Sequence, residues 1–167
     1  MTEGLEFKAP WGMSLLVMTT VGCTILLAVP FISVVAQPQK DSLWRVLTIV
    51  LPLVILFVTL LYSVRGYLLT DSTLQVQRLG WSSKIELTNL INVEIDPQAM
   101  ERSIRLWGNG GLFSFTGNFR NHKLGFYQAY ATDPHRAVIL KFPQCTIVLT
   151  PDNPERFVSE VLNRQNS

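Results

Sequence analysis

The distribution of hydrophobic residues divides the chain into two unlike parts. The first part contains two long apolar runs without a charged residue, Trp11 to Ala36 and Val46 to Val64. A helix needs ~20 predominantly apolar residues to cross the ~30 Å hydrocarbon core of a bilayer, and each run is close to or above that length. A chain of this size has no soluble domain large enough to bury both runs. The pattern therefore predicts transmembrane helices at 11–36 and 43–64, preceded by an N-terminal tail at 1–10.

The polar segment between the two runs, 37–42, contains a proline and is typical of a short loop. Two spans joined by so short a loop form a hairpin, which leaves both chain ends on one side of the membrane. The flanks of this hairpin hold more Lys and Arg than its loop, so the positive-inside rule predicts cytoplasmic ends for a multi-pass protein of the inner (plasma) membrane. A cleaved signal peptide is disfavoured, because Glu3 and Glu6 stand where basic residues belong.

After Arg65 the pattern changes to short alternating segments separated by Gly, Pro, Asn and Asp, which is typical of antiparallel strands and turns. The glycine-rich stretch 108–111 is best explained as a turn. The predicted strands are 66–70, 73–79, 83–87, 90–95, 102–107, 112–116, 124–132, 137–142 and 146–150.

The last element predicted is a helix that begins at Asn153. Asn153 is a capping residue, Pro154 suits the first helical position, and Glu155 follows in the first turn. Apolar residues then recur at helical spacing from Phe157 to Leu162, so the helix is expected to pack this stripe against the strands. Together these elements predict one domain at 66–163 and a tail at 164–167.

Composition and charge exclude several classes of function. The net charge of +2 gives no electrostatic support for binding nucleic acid. Cys23 lies in the first span and Cys145 in the strand region, so they are not expected to form a disulfide. His122 and His135 fall in predicted loops and do not make up a zinc ligand set. No catalytic, cofactor-binding or metal-binding residues are predicted.

Four stretches of the strand region carry a resemblance to a known family. They are WGNGGLF at 107–113, GNF at 117–119, LGFYQAYATD at 124–133 and TPDNPERF at 150–157. The chain resembles the bacterial pleckstrin-homology (PH-like) domain family over 102–162, and over 66–98 only in the number and order of strands.

The resemblance implies a PH-like barrel of two antiparallel sheets capped by a C-terminal α-helix, with no catalytic activity. It also implies fewer strands than the pattern predicts, which leaves 90–95 open between a strand, a turn and a helix. Phosphoinositide binding of the eukaryotic kind is disfavoured. The first hairpin turns through Thr70, Asp71 and Ser72, so an acid stands where basic charge would be needed.

Exposed aromatic and basic residues in the second half of the domain form the candidate interaction surface. Trp107 is either an exposed binding anchor or a residue that plugs the barrel. The expected partners are the lipid bilayer and either another membrane protein or a second copy of the chain. The alternatives are a lipid- or small-ligand-binding domain and an accessory subunit of a membrane enzyme or transporter. The candidate residues are Trp107, Asn109, Arg120, His122 and Lys123.

Overall fold

The computed structural model describes residues 4–36 and 42–165. Three α-helices lie at α1 Met13–Ala36, α2 Ser42–Leu61 and α3 Pro154–Gln165, with a 3-10 turn at Pro134–Arg136. The strands are β1 Leu5–Lys8, β2 Val64–Leu69, β3 Thr73–Arg78, β4 Ser82–Glu86, β5 Asn92–Ile95, β6 Ile104–Gly110, β7 Phe115–Asn121, β8 Gly125–Ala131, β9 Val138–Lys141 and β10 Thr146–Leu149.

The strands form two sheets. One has four strands in the order β1-β2-β3-β4, and the other has six in the order β5-β9-β10-β8-β7-β6. All neighbouring strands are antiparallel except β8 and β10, which run parallel. The predicted mostly β domain of two sheets with a C-terminal helix is therefore confirmed.

The main core lies between the two sheets and is closed by α3. Phe157 and Val161 of α3 are fully buried there, and the Phe157 ring meets the Phe7 ring edge-on with centroids 5.1 Å apart. Asn153 caps the helix as predicted, since its side-chain oxygen accepts a hydrogen bond from the Arg156 amide at 3.0 Å. Tyr67 crosses the same core, donating its hydroxyl to the Tyr130 carbonyl at 2.6 Å. Burial raises the pKa of Tyr67 to about 12.

A second apolar cluster lies on the other face of the six-stranded sheet, because alternate residues of a strand point to opposite faces. Phe115, Phe119 and Tyr127 belong to it, and Leu15 of α1 is fully buried against them. The first helix is thus packed directly onto the sheet.

The N-terminal tail predicted at 1–10 is wrong for its described part. Residues Leu5–Lys8 form β1 and pair antiparallel with β2, from Leu5 opposite Leu69 to Lys8 opposite Gly66. Four residues with one buried aromatic, Phe7, are too short a run for strand alternation to be recognised in the sequence. The consequence is that α1 and α2 are inserted between two neighbouring strands of one sheet.

The glycine-rich turn predicted at 108–111 is also misplaced. Gly108 to Gly110 continue β6, and the chain turns at 111–114. The strand β7 then covers most of 117–123, where no strand was predicted. The segment 90–95 could be a strand, a turn or a helix from the sequence alone. It contains the strand β5 at Asn92–Ile95, which pairs with β9.

The predicted boundaries around the helices and at the C-terminus also need correction. The second apolar segment was predicted at 43–64, but the helix ends at Leu61 and Val64 already belongs to β2, so the barrel begins before residue 66. At the other end α3 continues to Gln165, into the predicted tail at 164–167. Residues 37–41 of the predicted loop lie outside the described residues, and Ser42 begins α2.

Within the described residues, one helix is long and apolar enough to cross a membrane, Met13–Val35. The uncharged part of α2, Val46–Leu61, is shorter. The two helices lie against each other.

The contribution of β1 can be measured in a soluble chain in which a four-residue Asn/Gly turn replaces residues 10–63. We expect this chain to be more stable than residues 64–165 alone by ~1.5–3 kcal/mol, the value of burying one large apolar side chain, because it restores Phe7 to the core. Urea unfolding followed by circular dichroism gives the difference. Phe7→Ala in the longer chain should remove most of the gain; equal stability of all three chains would show that β1 adds nothing.

Candidate binding groove

A groove of about 810 Å³ runs between α2 and the six-stranded sheet. On the helix side it is lined by Ile55, Val58 and Tyr62. The sheet side is contributed by β6, β7 and β8, and Arg78 at the end of β3 closes one end. The remaining lining residues are Thr59, Arg105, Leu106, Trp107, Gly108, Asn109, Leu112, Thr116, Gly117, Gln128 and Tyr130.

A pair of glycines lies in the sheet wall of this groove. Gly108 and Gly117 lie opposite each other in the β6–β7 pair, both with positive φ, at 111° and 132°. A Cβ on Gly108 would lie 2.2 Å from the Thr116 carbonyl oxygen, and one on Gly117 equally close to that of Trp107. The two backbones therefore approach too closely for any side chain, and this part of the wall stays bare.

The loop between β6 and β7, which contributes Leu112 to the groove, is hydrogen-bonded to α1. The Thr19 hydroxyl donates to the Gly111 carbonyl and accepts from the Phe113 amide, both at 3.1 Å. Ser63, between α2 and β2, donates to the Phe113 carbonyl at 3.3 Å. A buried loop is thus satisfied by side chains of both helical segments, as buried backbone groups require.

Arg78 is the most unusual group in the groove. Its guanidinium carbon lies 5.1 Å from the ring centroid of Tyr130, 5.5 Å from that of Trp81 and 5.6 Å from that of Tyr62, all within cation–π range. These rings belong to β8, to the β3–β4 turn and to the residue after α2. Arg78 therefore joins both sheets to the end of the second helix.

The charge on Arg78 has no carboxylate partner among the described residues, since none of their ion pairs involves it. Its buried Nε has no hydrogen-bond acceptor among the same residues. Burial lowers the pKa of Arg78, an effect opposed by Tyr130 and Tyr62. A guanidinium nevertheless stays protonated in proteins, so the groove contains an unneutralised positive charge among aromatic rings.

Two residues of the predicted interaction surface come together on one face of the sheet. Trp107 lies opposite Asn118, and Arg120 lies between Ile104 and Phe126, so their side chains share the face that lines the groove. Trp107 is 80% exposed, which excludes the reading in which it plugs the barrel. The Arg120 guanidinium lies 4.8 Å from the centroid of the Phe126 ring.

The other three predicted residues have different surroundings. Asn109 lies on the same face, but its side-chain amide donates to the Leu112 carbonyl and accepts from the Leu112 amide, so it is occupied in closing the β6–β7 loop. His122 and Lys123 lie in the β7–β8 turn, away from the groove. Lys123 forms an ion pair with Asp96 at 2.5 Å.

The residues around Arg78 were missed by sequence reasoning. Tyr62 lies within the second apolar run and Arg78 beyond it, and neither was among the candidate residues predicted from the sequence. Only the folded chain brings them together with Tyr130, which is 68 residues away from Tyr62 along the chain. The one local signal is an arginine and a tryptophan three residues apart, Arg78 and Trp81, near the end of the predicted strand 73–79.

The gap between the sheets continues beyond the groove. A second opening of about 390 Å³ lies between β4 and β10 and shares Gln128 and Tyr130 with the first. The two sheets are thus separated along one side of the barrel. Within 4–36 and 42–165, no three His, Cys, Asp or Glu side chains come together as a metal-binding group.

A barrel of two sheets closed by a C-terminal helix defines the class of PH-like domains, which the resemblance implied. The family described as bacterial PH domain matches residues 65–165, more than half of the chain. The chain belongs to the bacterial PH domain family. No match was found to a curated protein or to a solved structure. Domains of this class are in general non-catalytic, and membership suggests a binding or assembly module.

The attachment of the loop to α1 can be tested with neighbouring threonines. Thr19→Val removes the acceptor of the Phe113 amide and the donor to Gly111, so we expect faster amide hydrogen exchange across 111–114 and a loss of ~1–3 kcal/mol of stability. Thr20→Val is the matched control, because the Thr20 hydroxyl donates only to the Leu16 carbonyl within the helix. Equal exchange in both variants would contradict the attachment.

Proposed function

We propose that the protein is a non-catalytic binding module that both helices, as a transmembrane hairpin, anchor in the inner (plasma) membrane, with its PH-like barrel at the cytoplasmic surface. The observation that carries this proposal is the pairing of β1 with β2. Because these strands are neighbours, the start of α1 at Met13 and the end of α2 at Leu61 lie at the same end of one sheet. The barrel therefore lies directly at the ends of the helices and not on a flexible linker.

The exposed surface of both helices supports the same proposal. Large apolar side chains are left uncovered along each helix, which in water would be an aggregation-prone surface and in a bilayer is matched by lipid tails. At 1.5 Å per residue the whole of α2 is ~30 Å long, of which its uncharged part, Val46–Leu61, makes up ~24 Å. The exposed residues include Val17, Val21, Ile25, Phe31 and Ile32 in α1, and Leu47, Leu51, Leu53, Val54 and Phe57 in α2.

A barrel fixed in this way meets partners that are themselves at the membrane. The open face of the six-stranded sheet presents Ile104, Trp107 and Phe126, each at least 65% exposed, around Arg120. Exposed aromatic residues with an arginine are typical of the centre of a protein interface. We name these four residues the contact face, and its proposed partner is another membrane protein or a second copy of the chain.

Two other functions use the same surfaces. An accessory subunit of a membrane enzyme or transporter would dock through the contact face. A lipid- or small-ligand-binding function is favoured by a specific observation, the groove that ends at Arg78.

The anchoring can be tested by fractionation. The full chain should remain in the membrane pellet after carbonate washing, because two apolar spans anchor far more strongly than surface charge. Protease added to intact spheroplasts should leave the C-terminal domain uncut and should digest it after lysis. Release into the wash would contradict the anchoring, and digestion in intact spheroplasts would contradict the orientation.

The contact face can be tested by photo-crosslinking in intact membranes from benzoylphenylalanine at position 126. We expect a discrete crosslinked product, either a dimer of the chain or a complex with one membrane protein. The double variant Trp107→Ala, Arg120→Glu should abolish it, while His122→Ala, an exposed residue of the β7–β8 turn, should not. A product that persists in the double variant with an unchanged circular dichroism spectrum would show that the partner binds elsewhere.

A further inference from the structure

We propose that the groove between α2 and the six-stranded sheet binds an anionic glycerophospholipid of the surrounding leaflet, with its phosphate at Arg78 and its acyl chain along α2. This inference rests on the proposed membrane anchoring and adds a ligand site to it. It concerns a lateral groove between a helix and the barrel, not the turn between the first two strands of the matched domain.

The position of the groove along α2 favours a lipid. Ile55 lies six residues before Leu61, or ~9 Å from the barrel end of the helix at 1.5 Å per residue. If α2 crosses the bilayer, this part of the groove lies at the level of the first acyl carbons. Arg78, which lies beyond the helix end beside Tyr62, then falls at the level of the headgroups.

The lining changes from apolar to charged in the same direction. Along the helix the lining runs from Ile55 and Val58 to Tyr62, whose ring centroid lies 5.6 Å from the guanidinium carbon of Arg78. Arg105 of β6 is a second arginine in the lining. A phospholipid has the same order, with an acyl chain, a glycerol backbone and a phosphate. The volume of about 810 Å³ is in the range of ~300–1,000 Å³ that small-molecule sites occupy.

The charge of Arg78 makes the ligand an anion. A guanidinium binds phosphate through several N–H donors, and basic pockets beside transmembrane helices on the cytoplasmic side favour anionic headgroups. Since no described carboxylate pairs with Arg78, a phosphate would not have to displace one. Gln128 adds a side-chain amide donor to the lining, whereas the Thr59 hydroxyl already donates to the Ile55 carbonyl within α2.

A purely structural role for Arg78 makes a different prediction. The three aromatic rings around its guanidinium could be its whole purpose, as a tie between the sheets and α2. In that case removing Arg78 lowers stability but leaves lipid retention unchanged, and filling the groove from the helix side has no effect on lipid either.

The test uses the full chain, purified in mild detergent and exchanged into nanodiscs that contain phosphatidylglycerol and phosphatidylcholine. Native mass spectrometry after release counts the lipid that remains bound. The wild type should retain phosphatidylglycerol in preference to phosphatidylcholine. Arg78→Gln and Val58→Trp, which fills the groove without removing the guanidinium, should each lower this retention about tenfold, equivalent to ~1.4 kcal/mol.

Two matched controls separate the groove from general effects. Arg156→Gln removes an exposed arginine of α3 that belongs neither to the groove nor to the contact face, and Leu53→Trp adds the same bulk to α2 outside the groove. Both should retain lipid as the wild type does. Excess inorganic phosphate should not displace the lipid, because it lacks the acyl chain.

The proposal is overturned if Val58→Trp retains as much phosphatidylglycerol as Leu53→Trp, if Arg156→Gln loses as much as Arg78→Gln, or if inorganic phosphate displaces the lipid. Carbonate washing of membranes that contain the same variants reports on the anchoring separately. Protein that stays in the pellet but retains no lipid refutes the groove alone. Release of the wild type refutes the anchoring and the groove with it.

Discussion

The arrangement of this protein depends on one backbone constraint, the pairing of β1 with β2 across the two helices that separate them. In an ordinary hairpin a turn of a few residues would join these strands. Here the connection is α1 and α2, so the first and last turns of the helical insertion are held side by side at a sheet edge. Every other contact between helices and barrel follows from this closure, because it sets the distance and direction of both helices relative to the sheets.

The polar contacts at this junction are those that an apolar surrounding requires. The backbone of the β6–β7 loop is satisfied by Thr19 and Ser63 instead of water, and Leu15 fills a gap in the second apolar cluster. Arg78 is the exception, since it is charged, half-buried and surrounded by rings with no counter-ion in the described chain. A group of this kind is either a structural tie or a site for an anion, and its place at the end of an apolar groove favours the anion.

Much of the fold could be predicted from the sequence because alternation and helical spacing extend over enough residues. The α3 stripe around Phe157 and its Asn153 cap are local patterns, and the structure contains both. Phe7 in β1 could not be recognised, since four residues beside a long apolar run carry too little periodicity. The exposed Trp107 and Arg120 were identified as candidates from their residue types, whereas Arg78 was not, because its aromatic neighbours come from three separate elements of the fold.

Disulfide trapping of the β1–β2 pair tests this account most directly. Glu6 lies opposite Leu68, while Gln75 is one strand further away, ~9–10 Å from Glu6 at the usual strand spacing. In membranes that contain the full chain with Cys23→Ser and Cys145→Ser, mild oxidation should link Glu6→Cys to Leu68→Cys within minutes, and Glu6→Cys should not link to Gln75→Cys. Failure of the first pair to link, or equal linking of both pairs, would contradict the insertion of the helices between β1 and β2.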